Sequence, residues 1–98
     1  MDQNGRMAFQ GLVEARIAEW ERNITNLGHR VAKAKDHVEE IKEKVETMKS
    51  RLPVLTGKAQ QAAGIPDAQW PDFKSEVDLI FENLAWLQNY VMRRIGAS

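Results

Sequence analysis

Two histidines, His29 and His37, are the side chains here best suited to metal ligation or proton transfer, and they stand eight residues apart. Neighbours on one helix face are three or four residues apart, so both cannot reach one metal from a single helix. His37 and Glu40 form an i, i+3 pair, the reverse of the Glu-x-x-His order of di-iron bundles. His29, Asp36 and Glu43 recur every seven residues along the outermost row of a helix, where charged residues are ordinarily solvated. The chain has no cysteine, which excludes thiolate and disulfide chemistry. Ser50, Ser75 and Ser98 have no histidine placed to activate them. No His-Glu-x-x-His, phosphate-binding loop or Gly-x-Gly-x-x-Gly occurs. The expectation is a protein without catalytic residues, cofactor or metal.

Binding chemistry is next in order. Lys and Arg number 14, matching 14 Asp and Glu, so no net field draws the chain to nucleic acid or an anionic membrane. A basic edge runs through Arg30, Lys35, Lys42, Lys44, Lys49 and Arg51. Glutamates interleave it and no aromatic is placed to stack a base, so nucleic-acid binding is not predicted. No apolar run approaches the roughly 18 residues of a membrane span, and 1–10 lacks a signal-peptide pattern. A cytoplasmic location is the expectation. Asn23-Ile24-Thr25 matches a glycosylation acceptor but falls in a helical pattern, and is read as accidental.

The elements that would position any site announce themselves by periodicity. From Ile17 the apolar positions step by three and four: Trp20, Ile24, Leu27, Val31, Ala34, Val38, Ile41, Val45, Met48, Leu52 and Leu55. This is the a/d seam of a coiled coil. It predicts a long helix over 8–52, preceded by a disordered leader at 1–7. Asn23 to Gly28 is its weak stretch, since Gly28 alone costs about 1 kcal/mol against Ala. The seam keeps phase across that stretch, so the reading is a continuous helix. The alternative is a monomeric three-helix bundle broken near Gly28. Pro53 should stop or kink the helix. Gly57, Gly64, Pro66 and Pro71 mark a connector over 53–71. A second helix is expected over 72–95, ended by Gly96.

That second helix has a seam of its own through Phe73, Val77, Ile80, Leu84, Leu87 and Val91. It carries further apolar residues on another face, at Leu79, Trp86 and Tyr90. Antiparallel pairing sets the basic end of the first helix against the acidic start of the second, where Asp67, Asp72, Glu76, Asp78 and Glu82 lie. About 24 residues span only roughly 36 Å, too short to cover the long seam. Trp20, Ile24 and Leu27 would stay exposed on a monomeric hairpin. A homodimer solves this, with two helical hairpins joined as a four-helix bundle along Ile17, Trp20, Ile24, Leu27, Val31, Val38, Ile41, Val45, Met48 and Leu52. The Leu79, Trp86 and Tyr90 stripe is then either absorbed by the dimer core or a docking face. Tryptophan is enriched at such faces.

These observations point to an all-α, non-enzymatic scaffold or adaptor that pairs with itself and with an unidentified protein partner. The alternative is a small helical regulator or inhibitor that binds an enzyme and blocks it. The size and layout are similar to those of small helical hairpins of the WXG type, but no Trp-x-Gly turn is present and no family is assigned.

Overall fold

A computed structural model describes residues 3–97. They form three helices and no strand: α1 (Gln3–Ala32), α2 (Val38–Gln61) and α3 (Trp70–Ala97). Two single 3-10 turns, Ala62–Gly64 and Asp67–Gln69, connect α2 to α3. The bundle measures 51 × 19 × 16 Å. Contacts from Lys58 to Glu76, Arg51 to Asn83 and Glu40 to Tyr90 show that α3 returns antiparallel to α2. Contacts from Arg6 to Asp67, Arg16 to Phe81 and Arg30 to Met92 show that it runs parallel to α1.

The continuous helix expected over 8–52 is broken, and the break is not at Gly28. It lies at 33–37, where Lys33 and Ala34 donate back to the Arg30 and Val31 carbonyls in a tight last turn. His37 then takes a left-handed conformation, φ 59°. No glycine or proline stands there, so no obligatory helix breaker sets the turn. The seam supplies the reason. Eight of its positions, Ile17, Ile24, Leu27, Val31, Ile41, Val45, Met48 and Leu55, are buried within this one chain. Burying each such side chain contributes roughly 1.5–3 kcal/mol. The few helical hydrogen bonds surrendered at a turn are worth about 1 kcal/mol each. The seam therefore folds onto itself, and keeps phase because both arms of the hairpin face one core. Charge marks the turn too: His29 and Arg30 close α1, while Glu39 and Glu40 open α2. Each suits the helix dipole at its end.

Other boundaries move for related reasons. The leader expected at 1–7 is helix from Gln3, and Arg6 is 5 % exposed. Met1 and Asp2 lie outside the described residues. Pro53 sits inside α2 rather than ending it, so the connector expected over 53–71 narrows to 62–69. Interior proline costs about 3 kcal/mol. Burial of Leu55, Ala59 and Ala62 on the far side of it offsets that loss. The second helix starts at Trp70, with Pro71 in its first turn where the missing N–H is harmless. Gly96 does not terminate it; the helix reaches Ala97, and no glycine among the described residues has positive φ.

The connector is pinned at one end of the bundle. Arg6 donates to the Ala62 carbonyl at 3.3 Å and to the Asp67 carboxylate, with its guanidinium 4.6 Å from the Trp70 ring centre. Phe9 packs edge-on to Trp70 at 5.1 Å, and Trp70 stacks on Phe73 at 5.7 Å. The buried Trp70 Nε1 has no hydrogen-bond acceptor among the described residues. The Arg6 hydrogen bond holds the Asp67 carboxyl below its ordinary value.

Candidate interaction face

The side chains of catalytic type do not converge. His29 and His37 are both exposed, on opposite sides of the turn, which also splits the His29, Asp36 and Glu43 row. His37 Nδ1 lies 3.8 Å from Glu40, whose carboxylate also accepts a hydrogen bond from the Tyr90 hydroxyl. Among the described residues no three His, Asp or Glu side chains are grouped to hold a metal ion. Ser50 donates to the Thr47 carbonyl of its own helix at 2.6 Å. Ser98 lies outside the described residues.

The basic edge is divided among separate surfaces. Arg30 and Lys35 stand by the turn, with Arg30 reaching Met92 Sδ at 3.5 Å. Lys42 and Lys49 rim an open groove of about 320 Å³ between α1 and α2, floored by Val31 and Val45. Lys44 and Arg51 turn toward α3 instead: Lys44 Nζ lies 5.5 Å from the Tyr90 ring, and Arg51 Nε donates to Asn83 Oδ1 at 3.3 Å.

The seam expected to join two chains is the core of one. Trp20, Ala34, Val38 and Leu52 are half-buried at its margins, and Ile24 and Leu27 are fully covered. The length mismatch disappears once the long helix is two, and with it the uncovered seam that motivated a dimer.

The second apolar face of α3 stays uncovered. Leu79 is 62 % exposed and Trp86 58 %. The core of the bundle is filled by Phe73, Val77, Phe81, Leu84, Leu87 and Val91 on the opposite side of the helix. Stepping from Leu79 by four, three and four residues passes Asn83, Trp86 and Tyr90, one line along the helix. Exposed Val54 of α2 joins this line, and Arg51, Val54, Leu79, Ile80 and Asn83 enclose a shallow depression of about 240 Å³. Sequence periodicity found the α3 members; Val54 was missed because only the packing of α2 against α3 brings it alongside.

The aromatic pair on this face is braced. Trp86 stacks on Tyr90 with ring centres 5.6 Å apart and 27° between planes. Tyr90 is half-buried; its hydroxyl donates to the Glu40 carboxylate and accepts from Arg94 at 3.2 Å. Lys44 Nζ and the Arg94 guanidinium lie 5.5 and 5.2 Å from its ring centre. The indole is thus supported on a ring that four contacts hold, and little order remains to be acquired on binding.

No protein-family model matches the chain, and neither a curated protein nor a solved structure is significantly similar to it.

Proposed function

We propose that this protein is a non-enzymatic interaction module, a small scaffold or adaptor that holds another polypeptide on the outer face of α3. One observation carries the reading. Trp86, a large apolar ring, is more than half exposed yet fixed on a braced tyrosine, beside Leu79 and Val54. Exposing this much apolar surface in one place is unfavourable for a lone bundle and is typical of a docking site. A Trp–Tyr pair on a rigid helix is also the kind of anchor that dominates interface energetics.

The test is residue-resolved cross-linking. A photoreactive amino acid at exposed Asn89, one turn beyond Trp86, should give polypeptide adducts in the cells that make the protein. Trp86→Gln in the same chain should remove them while helicity and melting temperature hold, because the side chain supports no core contact. Equal adducts from exposed Glu19 on α1, or adducts indifferent to Trp86→Gln, would refute the assignment.

A further inference from the structure

The two halves of α3 carry opposite charge. Residues 70–83 hold Asp72, Glu76, Asp78 and Glu82 against Lys74 alone, a net −3. Residues 84–97 hold Arg93 and Arg94 and no carboxylate, a net +2. The exposed apolar line from Leu79 to Tyr90 straddles the boundary between them. From this arrangement we infer that the occupant of the α3 face is a second copy of the same chain, packed antiparallel through α3. The inference rests on the docking role assigned to this face and names its partner.

Three features of this face favour a copy over an unrelated segment. The first is self-complementarity. A two-fold axis crossing α3 between Leu84 and Ala85 sets Leu79 opposite Tyr90 of the second copy and brings the two Trp86 rings to within about one helical turn along the axis. Leu79 and Tyr90 then meet at both ends of the face, and each Trp86 stands level with Asn83 of the second copy, beside the other Trp86.

The second is charge. In that register Asp78 stands about 10 Å from the axis and Arg93 of the second copy about 13 Å, a level difference of only about 3 Å. Asp78, Glu82 and Arg93 share one edge of the helix, since a two-fold of this kind keeps like edges together. All three are exposed, and none makes an ion pair within its own chain among the described residues. Their opposite charges therefore face each other twice, once on each side of the axis, and the antiparallel helix dipoles add in the same sense.

The third feature is the opposite edge. There Lys44 and Arg51 of α2 border the face, and the Glu40 carboxylate on that edge is already engaged by Tyr90 and Arg94. Two copies cannot close α2 on α2 without opposing these cations. The α3 edge is where the pair must close, and the contact is confined to one helix face. An interface of that size sits at the small end of specific complexes, so the pairing is expected to be reversible.

Sedimentation equilibrium of the full chain from micromolar to hundreds of micromolar concentration tests this. The wild type should dimerise with concentration. Trp86→Gln should raise the dissociation constant roughly 30-fold or more, as loss of a central aromatic anchor does. Arg93→Glu makes the edge wholly acidic, and Asp78→Arg with Glu82→Arg makes it wholly basic. Each variant alone should be monomeric, and an equimolar mixture of the two should associate again. Circular dichroism should show all of them folded, since the altered residues are exposed. A monomer at every concentration, a dimer insensitive to Trp86→Gln, or a mixture that stays monomeric would each overturn the inference. Its failure is separable from that of the docking role. A monomer whose Asn89 cross-linker still takes a different polypeptide in a Trp86-dependent manner overturns only the homotypic pairing; a monomer that gives no adduct overturns both.

Discussion

Replacing His37 by valine is expected to destabilise the protein by about 1–2 kcal/mol, because a β-branched residue tolerates the left-handed region poorly. The reasoning rests on one angle, φ 59° at His37, where α2 begins. Histidine enters that region more readily than most side chains. Valine and histidine have nearly equal helix propensity, so inside an unbroken helix the same substitution would change stability by only a few tenths. Glycine supplies the opposite arm. At φ 59° His37→Gly relieves roughly 1–2 kcal/mol of strain and adds about 0.5–1 kcal/mol of unfolded-chain entropy. It also removes a half-exposed contact to Glu40 at 3.8 Å, worth little at a surface. The net runs from about zero to a gain of about 1.5 kcal/mol. The expected order of stability is therefore Gly, His, Val; a continuous helix requires Val equal to His, with Gly lowest. Urea unfolding followed by circular dichroism at constant slope reads the difference directly. In a domain of this size each kcal/mol moves the melting temperature by about 4–8 °C, so heating gives a second measure. Valine at parity with histidine, or glycine below it, would refute the turn at 33–37 and return the chain to one long helix.

Gly28→Ala should stabilise by up to about 1 kcal/mol, since Gly28 is helical and an added methyl meets nothing within 4 Å; a loss in chemical denaturation would mean α1 is distorted there. Pro53→Ala should stabilise by about 2 kcal/mol, the recovered helix interior less the unfolded-chain entropy that proline removes, and an unchanged urea midpoint would show α2 already interrupted at 53. Leu84→Ala, at a fully buried position, should cost about 2–5 kcal/mol, whereas Leu79→Ala on the exposed face should leave monomer stability within about 0.5 kcal/mol. Asp67→Asn should lower the melting temperature at neutral pH. The folded carboxyl is depressed by Arg6, so its contribution is present above the ordinary 3.8 and disappears as pH falls through the folded value. The gap between wild type and variant should accordingly close in strong acid, and a gap independent of pH would place the Arg6–Asp67 contact outside the folding balance.

Periodicity alone determined much of this protein. All-helical structure, the seam residues from Ile17 to Leu55 and the core line of α3 from Phe73 to Val91 follow from apolar spacing, because a 3.6-residue helix must gather such residues on one face. The leftover stripe at Leu79, Trp86 and Tyr90 was visible for the same reason: one neighbour cannot cover two faces. What periodicity could not decide was what the seam packs against. A heptad pattern is equally satisfied by a second chain or by its own continuation folded back. The turn at 33–37 carries no breaker, only the charge change from His29 and Arg30 to Glu39 and Glu40. The helix through Pro53 and the buried Arg6 under Trp70 are also outcomes of tertiary packing. In each case a local preference worth one to about three kcal/mol was outweighed by burial summed over many residues. That sum exists only once α1, α2 and α3 lie together, so the sequence determined which faces are apolar, and the tertiary structure decided which of them stay exposed.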